Sequence, residues 1–297
     1  MRGIHEYILL ISFFLAFGDA TARAQIFPDT VYQWTKTAEA LLPSPARSNP
    51  AGTAREVLEA YGVTEWRIVE YVRAGLTARI DCGLFPSRAR AYGFFRWMAD
   101  DAEPEGIIGD AFGARSGVVH VNTGPYYFRI ATAGARNSVA VDDALVERSR
   151  RILHGHADCY GSDFPMPTDH RVIGSERYYP PDPRIWKAAP PRGSEAVLSV
   201  IAAHAAYVAE YHLARPVLRR VLLTFPFRGR AAAAEFAAEL VQQLQARPGA
   251  RRGTCDLPSF TQGGMTHLVA ATPTRVLLVI TDPDDPGCCA WLHELLR

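Results

Sequence analysis

Between Trp66 and Thr281 the chain twice runs through one order of periodicities, and that order restricts the fold more than any other feature of the sequence. Trp66, Ile68 and Val72 alternate with charged neighbours, and Leu76, Ala78, Ile80 and Cys82 alternate with Thr77, Arg79 and Asp81. This is the period of two of half-buried strands, and Gly75 between the runs makes them a hairpin. After Phe85-Pro86 the period changes, with Ala91, Phe94, Phe95 and Met98 at the spacing of a helical apolar stripe whose start Pro86 and Ser87 mark. Val118–Val121 and Tyr126–Ala131 read as two more strands around the turn Asn122-Thr123-Gly124-Pro125. A helix is expected over Val141–Leu153, with Asp142 and Asp143 in its first turn, where the helix dipole favours them.

The order returns about 140 residues later. Tyr207–Leu213 and Val217–Leu223 read as strands, Ala233, Phe236, Ala237, Leu240, Val241 and Leu244 as a helical stripe, Met265–Ala271 and Arg275–Thr281 as strands around Thr272-Pro273-Thr274, and Cys288–Arg297 as a short closing helix. Glu70-Tyr71 matches Glu210-Tyr211, Arg79 matches Arg219, Phe85-Pro86 matches Phe225-Pro226, and Arg88 and Arg90 match Arg228 and Arg230 at one offset, which signals duplication. The expected fold is therefore α+β, two similar ββαββα units with mostly antiparallel sheets and helices packed on one face.

Around this pattern the chain divides into a signal peptide (1–24), an N-terminal arm and helix (25–65), a first α+β repeat (66–160), a Pro-rich linker (161–200) and a second α+β repeat (201–297). The signal peptide rests on Arg2, the apolar run Tyr7–Phe17 broken by Ser12, and the cleavage pattern Ala22-Arg23-Ala24. That run falls short of the roughly 20 residues a bilayer span needs. The mature chain is expected to start near Gln25 and to be exported, periplasmic or secreted, and soluble. A helix is expected from Thr53 to Ala60, ending at Gly62. The prolines at 165, 167, 180, 181, 183, 190 and 191 are expected to preclude regular elements.

With 297 residues, 48% of them hydrophobic, the chain can bury a core, and its formal net charge of +1 gives no general pull towards nucleic acid or anionic lipid. Five cysteines, Cys82, Cys159, Cys255, Cys288 and Cys289, leave at least one thiol over in an oxidising compartment. Adjacent Cys288 and Cys289 are poorly placed to bond each other. Cys255 is expected to pair with Cys288 or Cys289, because it lies in the loop before the last hairpin and they open the helix after it. Cys82 ends an inward-facing strand pattern and reads as a buried free thiol.

Ala60-Tyr61-Gly62, Ala91-Tyr92-Gly93-Phe94-Phe95, Gly124 with Tyr126-Tyr127, and Gly174-Ser175-Glu176-Arg177-Tyr178-Tyr179 together resemble a family of exported bacterial proteins catalogued as a domain of unknown function, number 6599. The resemblance covers roughly residues 27–190. Where that family carries Asn-Gly-Gly-Ala, this chain has Asn49-Pro50-Ala51-Gly52-Thr53-Ala54. The resemblance implies export and an α+β fold, and neither an activity nor site residues.

The sharpest chemical pattern is His154-Gly155-His156-Ala157-Asp158-Cys159, which is similar to the H-x-H-x-D-H loop of metallo-β-lactamase-like hydrolases. Here a cysteine replaces the last histidine, and the run follows an amphipathic helix instead of an apolar strand. His154, His156 and Asp158 are therefore expected to bind no functional metal and to serve as a helix C-terminus where the dipole favours positive charge. No G-x-S-x-G, P-loop or dinucleotide fingerprint occurs, Gly174-Ser175-Glu176 reads as turn chemistry, and no cofactor is implied. Asp282-Pro283-Asp284-Asp285-Pro286-Gly287 reads as a polar turn, since calcium needs more oxygens at another spacing. The aromatics at 92, 94, 95, 97, 126–128, 178 and 179 read first as core and second as a ligand groove.

These features point to a non-catalytic exported protein that binds an unknown small molecule or protein partner at the surface between its halves. The alternative is a metal-dependent hydrolase that uses the His154/His156/Asp158 cluster, joined by His170 or His204.

Overall fold

The alternating stretches become strands where the period of two places them. In a computed structural model, the residues described are 27, 29–31, 34–42, 54–99, 111–115, 118–133, 175–214, 217–253, 255–283 and 285–297, divided between two units, 1–163 and 164–297. The expected signal peptide, the expected helix Val141–Leu153, the cluster His154, His156, Asp158 and Cys159, and His170 lie outside the described residues. Among those described, no helix is long and apolar enough to cross a membrane.

The first unit is an antiparallel sheet of β1 (Thr30–Val31), β2 (Trp34–Leu42), β3 (Glu65–Arg73), β4 (Leu76–Leu84), β5 (Ala111–Arg115), β6 (Val118–Thr123) and β7 (Tyr126–Ala133) in the order β1-β2-β3-β4-β7-β6-β5, with helices α1 (Arg55–Tyr61) and α2 (Arg88–Met98). The β3–β4 hairpin turns through Ala74 and Gly75, both at positive φ (46° and 81°), the twist that a two-residue turn requires. Helix α1 stops where Gly62 takes a left-handed φ of 71° and its N–H returns to the carbonyls of Leu58 and Glu59. The Ser87 hydroxyl caps α2 by accepting from the N–H of Arg90. Strand β2 falls inside the expected arm. It is mostly exposed after Trp34, with hardly any alternation of burial, and a bulge interrupts its register with β3 between Lys36 and Ala38.

The second unit orders β8 (Arg177–Tyr179), β9 (Ala206–Ala214), β10 (Val217–Pro226), β11 (Arg251–Arg252), β12 (Ser259–Gln262), β13 (Met265–Ala271) and β14 (Arg275–Thr281) as β11-β12-β13-β14-β10-β9-β8, again antiparallel. Its helices are α3 (Pro183–Ala188), α4 (Leu198–Ile201), α5 (Arg230–Gln245) and α6 (Cys288–Leu295). The expectation that prolines preclude regular structure before residue 194 fails over the described part. Pro183 occupies the first turn of α3, where its missing N–H costs nothing, and the Asp182 carboxylate accepts from the N–H of Arg184 as the cap. Trp186 of this helix is fully buried, donates to the carbonyl of Pro180 and stacks near Phe225.

Both units share a strand order: β3-β4-β7-β6-β5 in the first corresponds to β9-β10-β14-β13-β12 in the second. Helix α2 packs on β6 and β7, as α5 packs on β13 and β14. The residue correspondence departs from the fixed sequence offset. Tyr71 pairs with Ala78 across the first hairpin but Tyr211 with Arg220 across the second, so β10 and α5 shift by two residues. Ser87 and Gly229 therefore cap equivalent helices, Phe94 corresponds to Phe236, and Phe85 corresponds to Phe227, not to Phe225.

The expected packing of helices on one face needs a correction in the second unit. Helix α5 lies on the face that carries Leu223 and Phe225, with Phe236 at 4.9 Å from Phe225. Helix α6 lies on the other face, where Cys288 and Leu292 join Tyr211, Leu222, Leu277 and Val279 in one cluster. The cause is compositional: Val276 to Ile280 is an unbroken apolar run, buried throughout, and such a strand leaves neither face to water.

In the first unit both faces are buried as well. Val69, Tyr71, Ala78, Ile80, Cys82 and Ile130 fill one, and Trp66, Gly83 and Tyr127 face α2, whose Phe94 ring lies 6.0 Å from Trp66 and 4.9 Å from Tyr127. Gly83 is required there, because a Cβ would come 2.7 Å from Trp66 and 3.0 Å from Phe85. Gly83→Ala is expected to cost about 1–3 kcal/mol as overpacking, read as a lower urea midpoint. An unchanged midpoint would show that the Trp66 ring moves aside freely.

Candidate functional site

Strands β6, β7 and β4 carry a row of polar side chains across the α2 face of the first sheet. The register places His120 opposite Arg129 and Arg129 opposite Asp81. The Asp81 carboxylate is wholly buried and held from two sides, by Nε and Nη2 of Arg79 at 3.2 and 3.0 Å on one oxygen and by Nη1 of Arg129 at 3.0 Å on the other. Beside it, His120 Nδ1 lies 2.7 Å from the Tyr127 hydroxyl. Burial first, and the Arg129 charge second, push the imidazole pKa down to about 4, so it is neutral at neutral pH. Burial also pushes the Tyr127 phenol well above its ordinary range.

This row sits where the face emerges from under α2. Trp66 and Tyr127 are fully buried, whereas Ile68, Glu70, Arg129 and Ala131 are half-buried. The Arg79 side chain keeps 42% of its exposure and Arg129 24%. Sequence reasoning missed the row because it assigned Arg79 and Asp81 to a solvated face, as a half-buried sheet would have them. The available signal was Gly83, a small residue two positions beyond Asp81 that allows a large ring to cover that face.

In the second unit Arg220 and Asp285 form a buried pair, with side chains 4% and 1% exposed and two hydrogen bonds of 2.6 and 2.8 Å. The Thr281 hydroxyl donates to Asp285 at 2.8 Å, the Gly287 N–H at 3.2 Å, and the guanidinium lies 5.0 Å from the Trp291 ring centre. Burial opposes ionisation of Asp285, yet these donors keep its pKa below the usual value. Most of the Asp282–Gly287 turn is thus a structural anchor: Asp285 is occupied by Arg220, and Asp282 accepts from the Arg219 N–H.

A disulfide joins Cys255 to Cys289, with Cα atoms 6.0 Å apart, which places Cys289, of the two partners left open by the sequence, on Cys255. Cys82 and Cys288 are buried free thiols, the latter with its pKa pushed up to about 12 by burial and by Asp285. Asp256 and His293 flank the disulfide. Asp256 Oδ1 is 3.2 Å from Cys289 Sγ, 3.7 Å from Cys255 Sγ and 2.9 Å from His293 Nε2. The His293 contact lowers the Asp256 pKa.

The remaining expected residues have packing roles. His204 lies 4.3 Å from the Phe236 ring, and burial lowers its pKa. The Ser175 hydroxyl is hydrogen-bonded to the backbone N–H and carbonyl of Glu210. Tyr92, Phe94, Phe95, Tyr127, Phe128, Tyr178 and Tyr179 are all buried, so these aromatics build cores. The chain matches no protein-family model, and a search of curated proteins finds no relative.

Proposed function

We propose that this is a non-catalytic exported protein that binds a small carboxylate- or phosphate-bearing ligand at the Arg79–Asp81–Arg129 row of its first unit. The observation that carries this reading is that two partly exposed guanidiniums are fixed by one buried carboxylate. Each guanidinium has five N–H donors, and the contacts to Asp81 use Nε and Nη2 of Arg79 and Nη1 of Arg129. A planar fork that has donors to spare among the described residues and little rotamer freedom left to lose suits a planar anion.

Binding rather than proton transfer fits the neighbours. General acid–base work favours groups that titrate near the working pH, and His120 and Tyr127 are displaced from neutrality in opposite directions. They serve as fixed neutral hydrogen-bonding groups. Export rests on the apolar run Tyr7–Phe17 and on Ala22-Arg23-Ala24, and the shared strand order supports a duplicated origin of the two units.

The test is thermal denaturation of the mature chain with inorganic phosphate and with small mono-, di- and tricarboxylates. At least one should raise the Tm in proportion to its logarithmic concentration. Arg79→Lys with Arg129→Lys keeps the charge but removes the forks, and should abolish most of that rise. A rise of equal size in the double variant, or none with any of these anions, would sink the proposal.

A further inference from the structure

We propose that, once its disulfide is reduced, the cluster of Cys255, Asp256, Cys289 and His293 is a tetrahedral zinc site, so that this corner of the second unit exists in two forms, a metal-free disulfide and a zinc dithiolate. The donor set is the first argument. Cys255 and Asp256 are adjacent in the loop before β12, and Cys289 and His293 stand one helical turn apart on the same side of α6. The disulfide bonds loop to helix, and His293 Nε2 and both sulfurs lie within 2.9 to 3.7 Å of one Asp256 oxygen. Two thiolates, an imidazole and a carboxylate complete a four-coordinate zinc shell.

Geometry is the second argument. Donors at zinc bond lengths of about 2.0–2.3 Å stand roughly 3.3–3.8 Å apart at the corners of a tetrahedron. The other three donors already stand at nearly that spacing from the Asp256 oxygen. The donor atoms of Cys255, Asp256 and Cys289 all lie within 4.8 Å of one another, and closing the shell takes cleavage of the S–S bond, so that the two sulfurs rotate apart, and a swing of the His293 ring towards them, with no change required in the Cα separation of 6.0 Å. The setting is the third. Cys255, Cys289, Leu257 and Trp291 pack on the buried cluster beneath α6, so the base of the site is dry and anchored, while Asp256 and His293 remain accessible from solvent.

The conversion balances with a dithiol reductant. One of its thiolates attacks a sulfur of the Cys255–Cys289 bond, which breaks as a mixed disulfide forms. Its second thiolate then displaces the protein sulfur, and the reductant leaves as a disulfide, having supplied two electrons. Zinc replaces the protons of the two thiols, which pass to solvent. Cys288 takes no part, since its thiol points into the core beside Leu292 and its raised pKa disfavours thiolate.

The experiment uses the mature chain reduced with a phosphine, titrated with cobalt(II) and then with zinc. One cobalt per chain is expected to bind with a thiolate charge-transfer band and the intense visible bands of a tetrahedral ion, and one equivalent of zinc should bleach both. The oxidised chain should show neither band. Cys288→Ser and His154→Ala with His156→Ala should bind as the parent does. His293→Ala and Asp256→Asn change exposed side chains and leave the disulfide intact, and each should weaken cobalt binding at least tenfold. No band in the reduced parent, a band that survives Cys255→Ser with Cys289→Ser, or parental affinity in both His293→Ala and Asp256→Asn would overturn the proposal.

Discussion

Asp285→Ala is expected to destabilise the chain by about 3–5 kcal/mol, the largest effect of any single substitution considered. The removed carboxylate would leave Arg220 charged and 4% exposed against the Trp291 ring, with two hydrogen bonds lost. The Gly287 N–H loses its acceptor too, and the Thr281 hydroxyl keeps only the longer contact of 3.4 Å to the Arg219 carbonyl, which unties the turn from the start of α6. Urea unfolding followed by tryptophan fluorescence reads the change. The double variant Arg220→Met with Asp285→Ala should recover much of the loss, because a buried pair costs desolvation that an apolar replacement avoids. A single variant within about 1 kcal/mol of the parent would show that water reaches the pair.

Acidification from pH 7 to pH 4 is expected to remove up to about 3 kcal/mol through His120 alone. The unfolded imidazole titrates near 6.5 and the folded one near 4, held down first by burial and then by Arg129. Between those values the unfolded chain binds a proton that the folded chain excludes, so stability falls as pH drops through 6.5 and levels off below 4. Against the ring stand the neutral Tyr127 hydroxyl, 2.7 Å from Nδ1, and the Arg129 charge, which Asp81 holds in place. His267 and His204, whose pKa values burial also lowers, add slope of the same sign. His120→Gln can still meet Tyr127 and should flatten the profile by most of His120's share. A profile unchanged by that substitution would assign the acid sensitivity elsewhere.

Period-two alternation and the 3.6-residue stripe made the eight long strands of the two sheet centres and helices α2, α5 and α6 readable, because each pairs a regular pattern with a clear turn or cap. Strands β2, β5, β8 and β12 were not readable. Trp34–Leu42 is exposed along most of its length and ends in two adjacent leucines instead of alternating, and Arg177–Tyr179 is three residues within a proline-rich run, so their pairing is imposed by β3 and β9 and not by their own side chains. Trp186 shows the same limit, since its burial against Phe225 depends on a helix that proline density seemed to forbid. The site row was hidden for another reason. Alternation says that Asp81 and Ile80 face opposite ways, but it cannot say that water touches neither, and only the covering helix decides that.

The two-residue difference between the β3–β4 and β9–β10 hairpins has a consequence of parity. A pleated strand carried forward by an even number of residues keeps every side chain on its own side, while an odd number exchanges the sides throughout. The two added residues lengthen the hairpin by one residue in each strand, about 3.4 Å, and leave the pairing behind the turn in place, so Leu222 faces α6 and Leu223 faces α5. Helix α5 keeps its place on the sheet, and Phe236 meets Phe227 as Phe94 meets Phe85. Hairpins in such a sheet can lengthen in steps of two without rebuilding either core, and a single added residue would turn both inside out.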